Sequence, residues 1–130
     1  MHTVLLVDDD MNLLRGIRRA LRNQPYELII ANSAELAMEM FQRSSFDLVV
    51  VDQQMGGLPG TELIAWVAGH FPQTVRIMLT GQADVQVMKK AINEGQVFRF
   101  LTKPCHELEL AMAIRDGLES AANCEPSAAI

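Results

Sequence analysis

The feature that most constrains the fold of this chain is the alternation of short apolar runs with segments of helical periodicity. Five apolar runs occur, and each is followed by a segment in which apolar residues recur every three or four positions. This order predicts one α/β domain, a (βα)₅ chain whose parallel five-stranded sheet has helices on both faces. The predicted strands are Thr3–Val7, Tyr26–Ala31, Phe46–Val51, Thr74–Leu79 and Val97–Leu101.

The helices between these strands are predicted from the apolar residues that would face the sheet. Asn32 or Ser33 can cap the second helix, and Gly95 is expected to stop the fourth. Glu27 and Arg99 suit sheet edges, which favours the second and fifth strands as edge strands. The predicted inner faces, from the first helix to the fifth, are Leu13, Leu14, Ile17, Ala20 and Leu21; Leu36, Ala37, Met40 and Phe41; Leu63, Ile64 and Val67; Val87, Met88, Ala91 and Ile92; and Leu110, Ala111, Ile114 and Leu118.

Composition excludes several classes of protein. The chain has 130 residues, 49% of them hydrophobic, which is enough for a core without disulfides or a structural metal. Its net charge of −5 argues against a dedicated nucleic-acid binder. The longest stretch without a charged residue, Leu63 to Val75, is too short to span a membrane. We expect a soluble, cytoplasmic domain over 1–122, with a flexible tail or the start of a linker over 123–130. Cys105 and Cys124 are expected to be ordinary thiols.

Polar side chains follow four of the predicted strands. Asp8 and Asp9 come after the first strand, Asp52 after the third, Thr80 after the fourth and Lys103 after the fifth. Ligands of an open parallel sheet bind beyond the carboxyl ends of its strands. Each residue alone has a plainer interpretation, such as a helix cap for the run Asp8, Asp9 and Asp10 and a turn for Asp52. Their joint position at these strand ends favours a shared site.

The chemistry of this set indicates phosphoryl transfer. Carboxylates that crowd together call for a hard divalent cation, and Mg²⁺ uses one or two carboxylates together with phosphate oxygens. A cation held by Asp8 or Asp9 beside Asp52 would leave an oxygen of Asp52 free to attack a phosphoryl group. Lys103 would supply positive charge, and Thr80 a hydrogen bond, to the phosphoryl oxygens.

Taken together, these segments resemble the receiver domain of response regulators in two-component signalling. The resemblance covers nearly the whole chain and implies a flavodoxin-like sheet with strand order 2-1-3-4-5. Its most specific pieces are LLVDD at 5–9, DLVVVDQQM at 47–55, IMLTG at 77–81 and FRFLTKP at 98–104.

The resemblance also implies roles for individual residues. Asp52 is the phosphoacceptor, and Mg²⁺ (or Mn²⁺) is held by Asp8, Asp9, Asp52 and the main-chain carbonyl of Gln54. Thr80 and Lys103 contact the phosphoryl group, and Thr80 and Phe100 form the switch. Residues Gln54 and Gln82 occupy positions that tune the lifetime of the phosphoryl group.

The chain departs from the family in the loop after the acceptor. The family usually has Pro after the Met of this loop, whereas Met55 is followed here by Gly56, and Pro59 comes later. Because Gly is freer in its backbone angles than Pro, this loop is expected to be looser or differently shaped.

The implied partners are a sensor histidine kinase and an output domain or downstream protein. The readout surface would be the fourth helix, fifth strand and fifth helix, from Val85 to Ile114, with a homodimer on phosphorylation as a further implication. The segment at 91–104 resembles receivers of HD-GYP-type and hybrid regulators. Since the 130 residues of the chain contain no output domain, the chain is expected to be a single-domain regulator or a fragment, and we favour the fragment. Catalysis would be limited to self-phosphorylation and autodephosphorylation, with no direct contact with nucleic acid or membrane.

Two alternatives stay open at this point. A receiver fold could work as an interaction module without phosphorylation. Asp8, Asp10 and Asn12 also mimic the nucleophile motif of haloacid-dehalogenase-like phosphohydrolases, with Asp8 as the nucleophile. Asn12 does not fit the last position of that motif, and no acidic pair follows Lys103.

Overall fold

The computed structural model describes residues 1–81 and 85–123, so Gln82 and Cys124 lie outside the described residues. The strands are β1 (His2–Val7), β2 (Tyr26–Ala31), β3 (Leu48–Asp52), β4 (Val75–Thr80) and β5 (Arg99–Thr102). The helices are α1 (Met11–Ala20), α2 (Ala34–Arg43), α3 (Gly60–His70), α4 (Val85–Lys90) and α5 (Glu107–Asn123), and a π-helical segment (Ala91–Gly95) follows α4. Within these residues, no helix combines the length and apolar character needed to cross a bilayer.

The sheet confirms the predicted topology. Its strands are parallel and lie in the order β2-β1-β3-β4-β5, so that β2 and β5 are the edges. Val7 is in register with Val51, Asp52 with Leu79, and Thr80 with Thr102. The carboxyl ends of the strands therefore lie together along one border of the sheet, here called its carboxyl edge to distinguish it from the edge strands. The polar residues are predicted to lie at this border.

Buried residues form an apolar cluster on each face of the sheet. Side chains alternate along a strand, so Val4 and Leu6 of β1 belong to one cluster while Leu5 and Val7 belong to the other. Helices α1 and α5 cover the first face, and α2 and α3 cover the second. The predicted inner residues of α3 and α5 are all buried.

Other predicted inner-face residues are exposed, which corrects the sequence interpretation. Leu13 is 37% exposed, Leu36 is 38% exposed and Ile92 is 53% exposed, and Ala20 is exposed as well. The stripe of each helix that contacts the sheet is narrower than the apolar periodicity suggests. Leu13 instead lines a groove between α1 and the start of α5, together with Ile17 and Leu110.

The helix ends also refine the prediction. Ser33, rather than Asn32, caps α2 by accepting a hydrogen bond from the Leu36 amide at 3.0 Å. The helical segment after α4 does end at Gly95, but the residue with left-handed backbone is Gln96, with φ of 49°. The buried Arg76 contacts the same residue, because its Nη2 donates to the Gln96 carbonyl at 3.3 Å.

Candidate functional site

Three carboxylates meet at the carboxyl edge of the sheet. Asp8 and Asp9 directly follow β1, and Asp52 is the last residue of β3. One oxygen from each of these side chains lies within 4.8 Å of the others. Asp8 and Asp52 are each only 2% exposed, whereas Asp9 is exposed to solvent. The structure thus brings Asp52 together with two aspartates that precede it by 43 and 44 positions in the sequence.

Lys103 lies against the two buried carboxylates. Its Nζ is 3.1 Å from Oδ2 of Asp52 and 3.2 Å from Oδ2 of Asp8. The backbone positions this side chain, because the Lys103 amide donates to the Thr80 carbonyl at 2.8 Å and continues the pairing of β4 with β5. Lys103 directly follows β5, and this backbone hydrogen bond ties it to the end of β4.

Burial and neighbouring charges shift the pKa values of Asp52 and Lys103. Burial raises the pKa of Asp52, the Asp8 charge raises it further, and the hydrogen bond from Lys103 offsets part of the rise. Burial alone would lower the pKa of Lys103, but its hydrogen bond to Asp52 and the charges of Asp52 and Asp8 together raise it. The ammonium is therefore the favoured form of Lys103, and the acidic cluster holds an excess of negative charge.

The three consecutive aspartates have separate tasks. The Asp10 carboxylate caps α1 by accepting a hydrogen bond from the Leu13 amide at 3.2 Å. The Asp10 amide in turn donates to Oδ1 of Asp8 at 3.0 Å, which orients that side chain toward Lys103. The helix-cap interpretation therefore holds for Asp10, while Asp8 and Asp9 face the site.

The loop after Asp52 is folded tightly against the site, and Gln53 anchors it. The Gln53 amide donates to the Leu79 carbonyl at 2.8 Å, its carbonyl accepts from Gly60, and its Oε1 accepts from the Thr61 amide at 2.9 Å. A Cβ on Gly60 would collide with the main-chain oxygen of Asp52. The sequence analysis did not identify this role of Gln53. The residue that could have indicated it is Gly60, because a side chain there would collide with the main chain of Asp52.

Two amides of this loop point toward the acidic cluster. The Gln54 amide donates to Oδ1 of Asp52 at 3.4 Å, and the Gly56 amide donates to Oδ2 of Asp9 at 3.1 Å. Proline has no N–H, so the second hydrogen bond depends on the departure from the family pattern at this position. The sequence predicts a looser or differently shaped loop here, and the structure shows a loop that is tied to Asp9 by this hydrogen bond.

The remaining predicted residues surround this centre. Thr80 ends β4, is buried, and lies in register with Thr102. Phe100 is partly buried in β5 and packs against the second apolar cluster. Gln54 is exposed, and Gln82 is outside the described residues.

A divalent cation fits this arrangement. Oxygen is the donor atom that Mg²⁺ and Mn²⁺ prefer, and three carboxylates near one another offer it. The ammonium of Lys103 contacts Asp8 and Asp52, but one positive charge compensates only part of the charge of three carboxylates, so a further positive charge would be favoured here.

A doubly wound parallel domain with carboxylates and a lysine at its carboxyl edge has the layout of a receiver. The family model of the response regulator receiver domain matches residues 4–115. The chain belongs to this family and is a receiver domain of two-component response regulators. This family assignment does not favour the interaction module without phosphorylation or the phosphohydrolase with Asp8 as nucleophile.

Relatives agree with this assignment. The transcriptional regulatory protein GlrR of Escherichia coli K12 is 34% identical over 119 residues, which are 92% of this chain and 27% of GlrR. The signal receiver domain of an HD domain-containing protein from Pseudomonas fluorescens Pf-5 has a TM-score of 0.89 and 34% identity, covering 94% of this chain and 98% of that one. The structure of adenylate cyclase from Rhodopirellula baltica has a TM-score of 0.88 and 37% identity, and the match covers 95% of this chain and 91% of that one. The chain spans about a quarter of the length of the curated relatives it matches first.

Proposed function

We propose that this domain receives a phosphoryl group on Asp52. The observation that carries the proposal is the position of this carboxylate, which is 2% exposed at the end of β3 and 3.1 Å from the ammonium of Lys103. An ammonium at that distance favours the ionised carboxylate that attack requires, and it can neutralise charge on the incoming phosphoryl oxygens. Thr80, at the end of the neighbouring strand, is the hydroxyl donor to the same oxygens.

A divalent cation, Mg²⁺ or Mn²⁺, would be held by Asp8, Asp9, Asp52 and the carbonyl of Gln54. The three carboxylates support this set because one oxygen of each lies within 4.8 Å of the others. When bound, the cation would supply charge stabilisation to the phosphoryl oxygens. The protein contributes the orientation of its ligands, since amides of Asp10, Gln54 and Gly56 each donate to one of these carboxylates.

The step itself is a substitution at phosphorus. An oxygen of Asp52 forms a bond to the phosphorus, and the bond from phosphorus to its donor breaks. With a histidine kinase as donor, the electron pair of that P–N bond stays on the imidazole nitrogen. The product is an aspartyl-phosphate, and its later attack by water returns the carboxylate and inorganic phosphate. Asp52 is thus a phosphoacceptor, and the domain acts on its own side chain, with Gln54 and Gln82 as candidates for tuning the lifetime of the product.

The proposed switch consists of Thr80 at the end of β4 and Phe100 in β5, and the proposed output surface includes β5 and the helices beside it. Thr80 would move toward the phosphoryl group, and the partly buried ring of Phe100 would turn further inward. The surface of α4, β5 and α5 supports a docking role because it exposes apolar side chains among charged ones. The exposed side chains of these elements and of the segment between α4 and β5 include Lys89, Lys90, Ile92, Phe98, Leu108 and Met112.

The wider protein belongs to this proposal as well. A sensor histidine kinase is the proposed donor, and an output domain beyond this receiver is supported by the relatives, of which the matched part is a minor fraction. The HD domain-containing relative agrees with the resemblance of residues 91–104 to receivers of HD-GYP-type regulators. Homodimer formation on phosphorylation, a cytoplasmic location and the division into 1–122 and a tail over 123–130 stay predictions.

Intact mass after incubation with acetyl phosphate and Mg²⁺ tests the acceptor. Wild type should gain one phosphoryl group that requires Mg²⁺, and Asp52→Asn should gain none. Asp47→Asn is the matched control, because Asp47 lies before the amino end of the same strand and accepts a hydrogen bond from the Thr3 amide. An adduct that persists in Asp52→Asn, or a phosphoryl group that maps to Asp8 in the wild-type protein, would contradict the assignment of Asp52.

A fast dephosphorylation reaction would hide the adduct. Beryllofluoride, a stable phosphoryl mimic, separates this case from a domain that works without phosphorylation. Wild type should then show Mg²⁺-dependent shifts in the amide NMR signals of β4 and β5, and a spectrum that stays unchanged would reject the proposal.

A further inference from the structure

The exposed member of the acidic cluster is held by a main-chain group from another part of the chain. The Gly56 amide donates to Oδ2 of Asp9 at 3.1 Å, across 47 positions of sequence. Asp8 and Asp52 are buried and contact Lys103, so they have a fixed environment. Asp9 is exposed to solvent and depends on this contact for its orientation.

The loop that carries Gly56 is itself well anchored. At its start, Gln53 is bonded to β4 through the Leu79 carbonyl, and at its end Gly60 donates back to the Gln53 carbonyl at 3.2 Å. The Thr61 amide adds a second bond to the Gln53 side chain. A donor carried on such a closed loop is preorganised, so it can hold a partner without first being ordered.

We propose that the main-chain N–H of Gly56 is a positioning group that sets the affinity of the acidic cluster for its divalent cation by orienting Asp9. This inference rests on the proposed function, because it assumes that Asp9 is a ligand. Partners of this outer kind orient a ligand, and their loss typically costs about 10–100-fold in metal affinity. The hydrogen bond is made to Oδ2 of the Asp9 carboxylate, the group that would hold the cation.

The chain offers a matched pair of variants at this position. Gly56→Pro removes the N–H, whereas Gly56→Ala keeps it. An alanine is tolerated by the geometry, because its Cβ would be 3.8 Å from Oδ2 of Asp9, an ordinary contact. Only the first variant should therefore lose the hydrogen bond.

Calorimetric titration with MgCl₂, repeated with Mn²⁺ by the electron paramagnetic resonance of the free ion, measures the effect directly. We expect Gly56→Ala to bind within about twofold of wild type and Gly56→Pro to bind at least about tenfold more weakly. Thermal unfolding without divalent cations checks that both variants fold. Equal binding by wild type and Gly56→Pro, or equal weakening in both variants, would overturn the inference.

A double-mutant cycle with Asp9→Ala excludes a general distortion of the loop. If Gly56 acts through Asp9, the proline substitution should cause no further loss once Asp9 is removed. The same tenfold loss in both backgrounds would show that the loop shape, rather than the N–H, is responsible, and would overturn the inference. Absence of Mg²⁺ binding by wild type itself would overturn the proposed metal site and this inference with it, so the two failures are distinguishable.

Discussion

The amino and carboxyl ends of the sheet both carry polar side chains, but different groups satisfy them. At the amino end, the Thr74 hydroxyl donates to the Phe46 carbonyl at 2.8 Å, and Nη1 of the buried Arg76 donates to the Thr74 carbonyl at 2.6 Å. Asp47 accepts the Thr3 amide at 2.8 Å. These polar groups are bonded to the backbone of the fold, and their role is structural.

The carboxyl end is arranged in the opposite way. Asp8, Asp9 and Asp52 are drawn together, and the ammonium of Lys103 compensates only part of their charge. Two of the three carboxylates are buried, which makes their mutual repulsion more costly than it would be in water. The comparison teaches that a buried polar group indicates a functional role when its charge is not fully compensated. It indicates a structural role when hydrogen bonds to the backbone satisfy it. Four predictions test this difference.

The largest effect is expected from Arg76→Met at the amino end. The substitution removes charged donors from the carbonyls of Thr74 and Gln96 in a buried setting, and we expect a loss of about 3 kcal/mol in the free energy of unfolding. Arg99→Met is the control, because Arg99 pairs with Asp116 at the surface and its loss should cost below about 1 kcal/mol. Urea unfolding measures both, and equal losses would remove the distinction between structural and surface arginines.

The second prediction concerns the cation. Mg²⁺ at about 100 times its dissociation constant should raise the free energy of unfolding of wild type by about 2.7 kcal/mol. A variant altered at the amino end, Thr74→Val, should gain the same increment, whereas Asp9→Asn should gain less. Thermal unfolding over a series of Mg²⁺ concentrations checks this. An unchanged increment in Asp9→Asn would show that Asp9 is not a ligand of the cation.

Neutralising the acceptor should stabilise the domain in the absence of divalent cations. Because the fold raises the pKa of Asp52, its contribution to stability is present below the ordinary carboxyl pKa and is lost as the pH rises through the raised value. Asp52→Asn should therefore exceed wild type at pH 7 by on the order of 1 kcal/mol, a common size for single substitutions. The advantage should shrink toward about pH 3, where the wild-type carboxyl is protonated.

Asp47→Asn provides the contrast at the amino end. Its carboxylate serves the Thr3 amide and lies 3.5 Å from His2, so neutralising it should not stabilise the domain. Chemical unfolding of both variants between pH 3 and 8 gives the comparison. A gain in stability at Asp47 equal to that at Asp52 would mean that the carboxyl end is not specially strained by charge.

The smallest effect at neutral pH is expected at Tyr26, an exception at the amino end. Its hydroxyl is buried without a hydrogen-bond partner among the described residues, and burial raises the pKa of Tyr26 to about 12. Tyr26→Phe removes the unsatisfied group and should stabilise the domain by about 0.5 kcal/mol or leave it unchanged at pH 7.

The pH dependence of Tyr26 has a defined sign. A raised phenol pKa gives stability that is present below the ordinary pKa of tyrosine, 10.0, and is lost as the pH rises toward about 12. The phenylalanine variant lacks this loss, so its advantage over wild type should widen across that range. Circular dichroism during alkaline titration measures it, and parallel curves for the two proteins would contradict the burial of the hydroxyl.

Much of this architecture could be predicted from the sequence. The apolar runs identified all five strands to within two residues at either end, because a short apolar run bounded by polar or turn residues is a local pattern. Charged residues Glu27 and Arg99 indicated the two edges. The polar residues Asp52, Thr80 and Lys103 could be placed at one site because parallel strands share a carboxyl edge.

Other features were not accessible from the chain alone. Leu13, Leu36 and Ile92 repeat at helical spacing, yet they are exposed, because the width of a buried stripe depends on what covers it. Arg76 reads as an ordinary strand residue, but the carbonyls of Thr74 and Gln96 are brought to it only by the packed loops.

The sequence by itself determined the element order, the edge strands and the identity of the clustered carboxylates, since each follows from local patterns and from the geometry of parallel sheets. Tertiary structure decided the contacts that join them to distant parts of the chain. The contact of Gly56 with Asp9 spans 47 positions, and that of Lys103 with Asp8 spans 95. Such contacts depend on the path of the whole loop and on the register of neighbouring strands, and a linear pattern does not encode either of them locally.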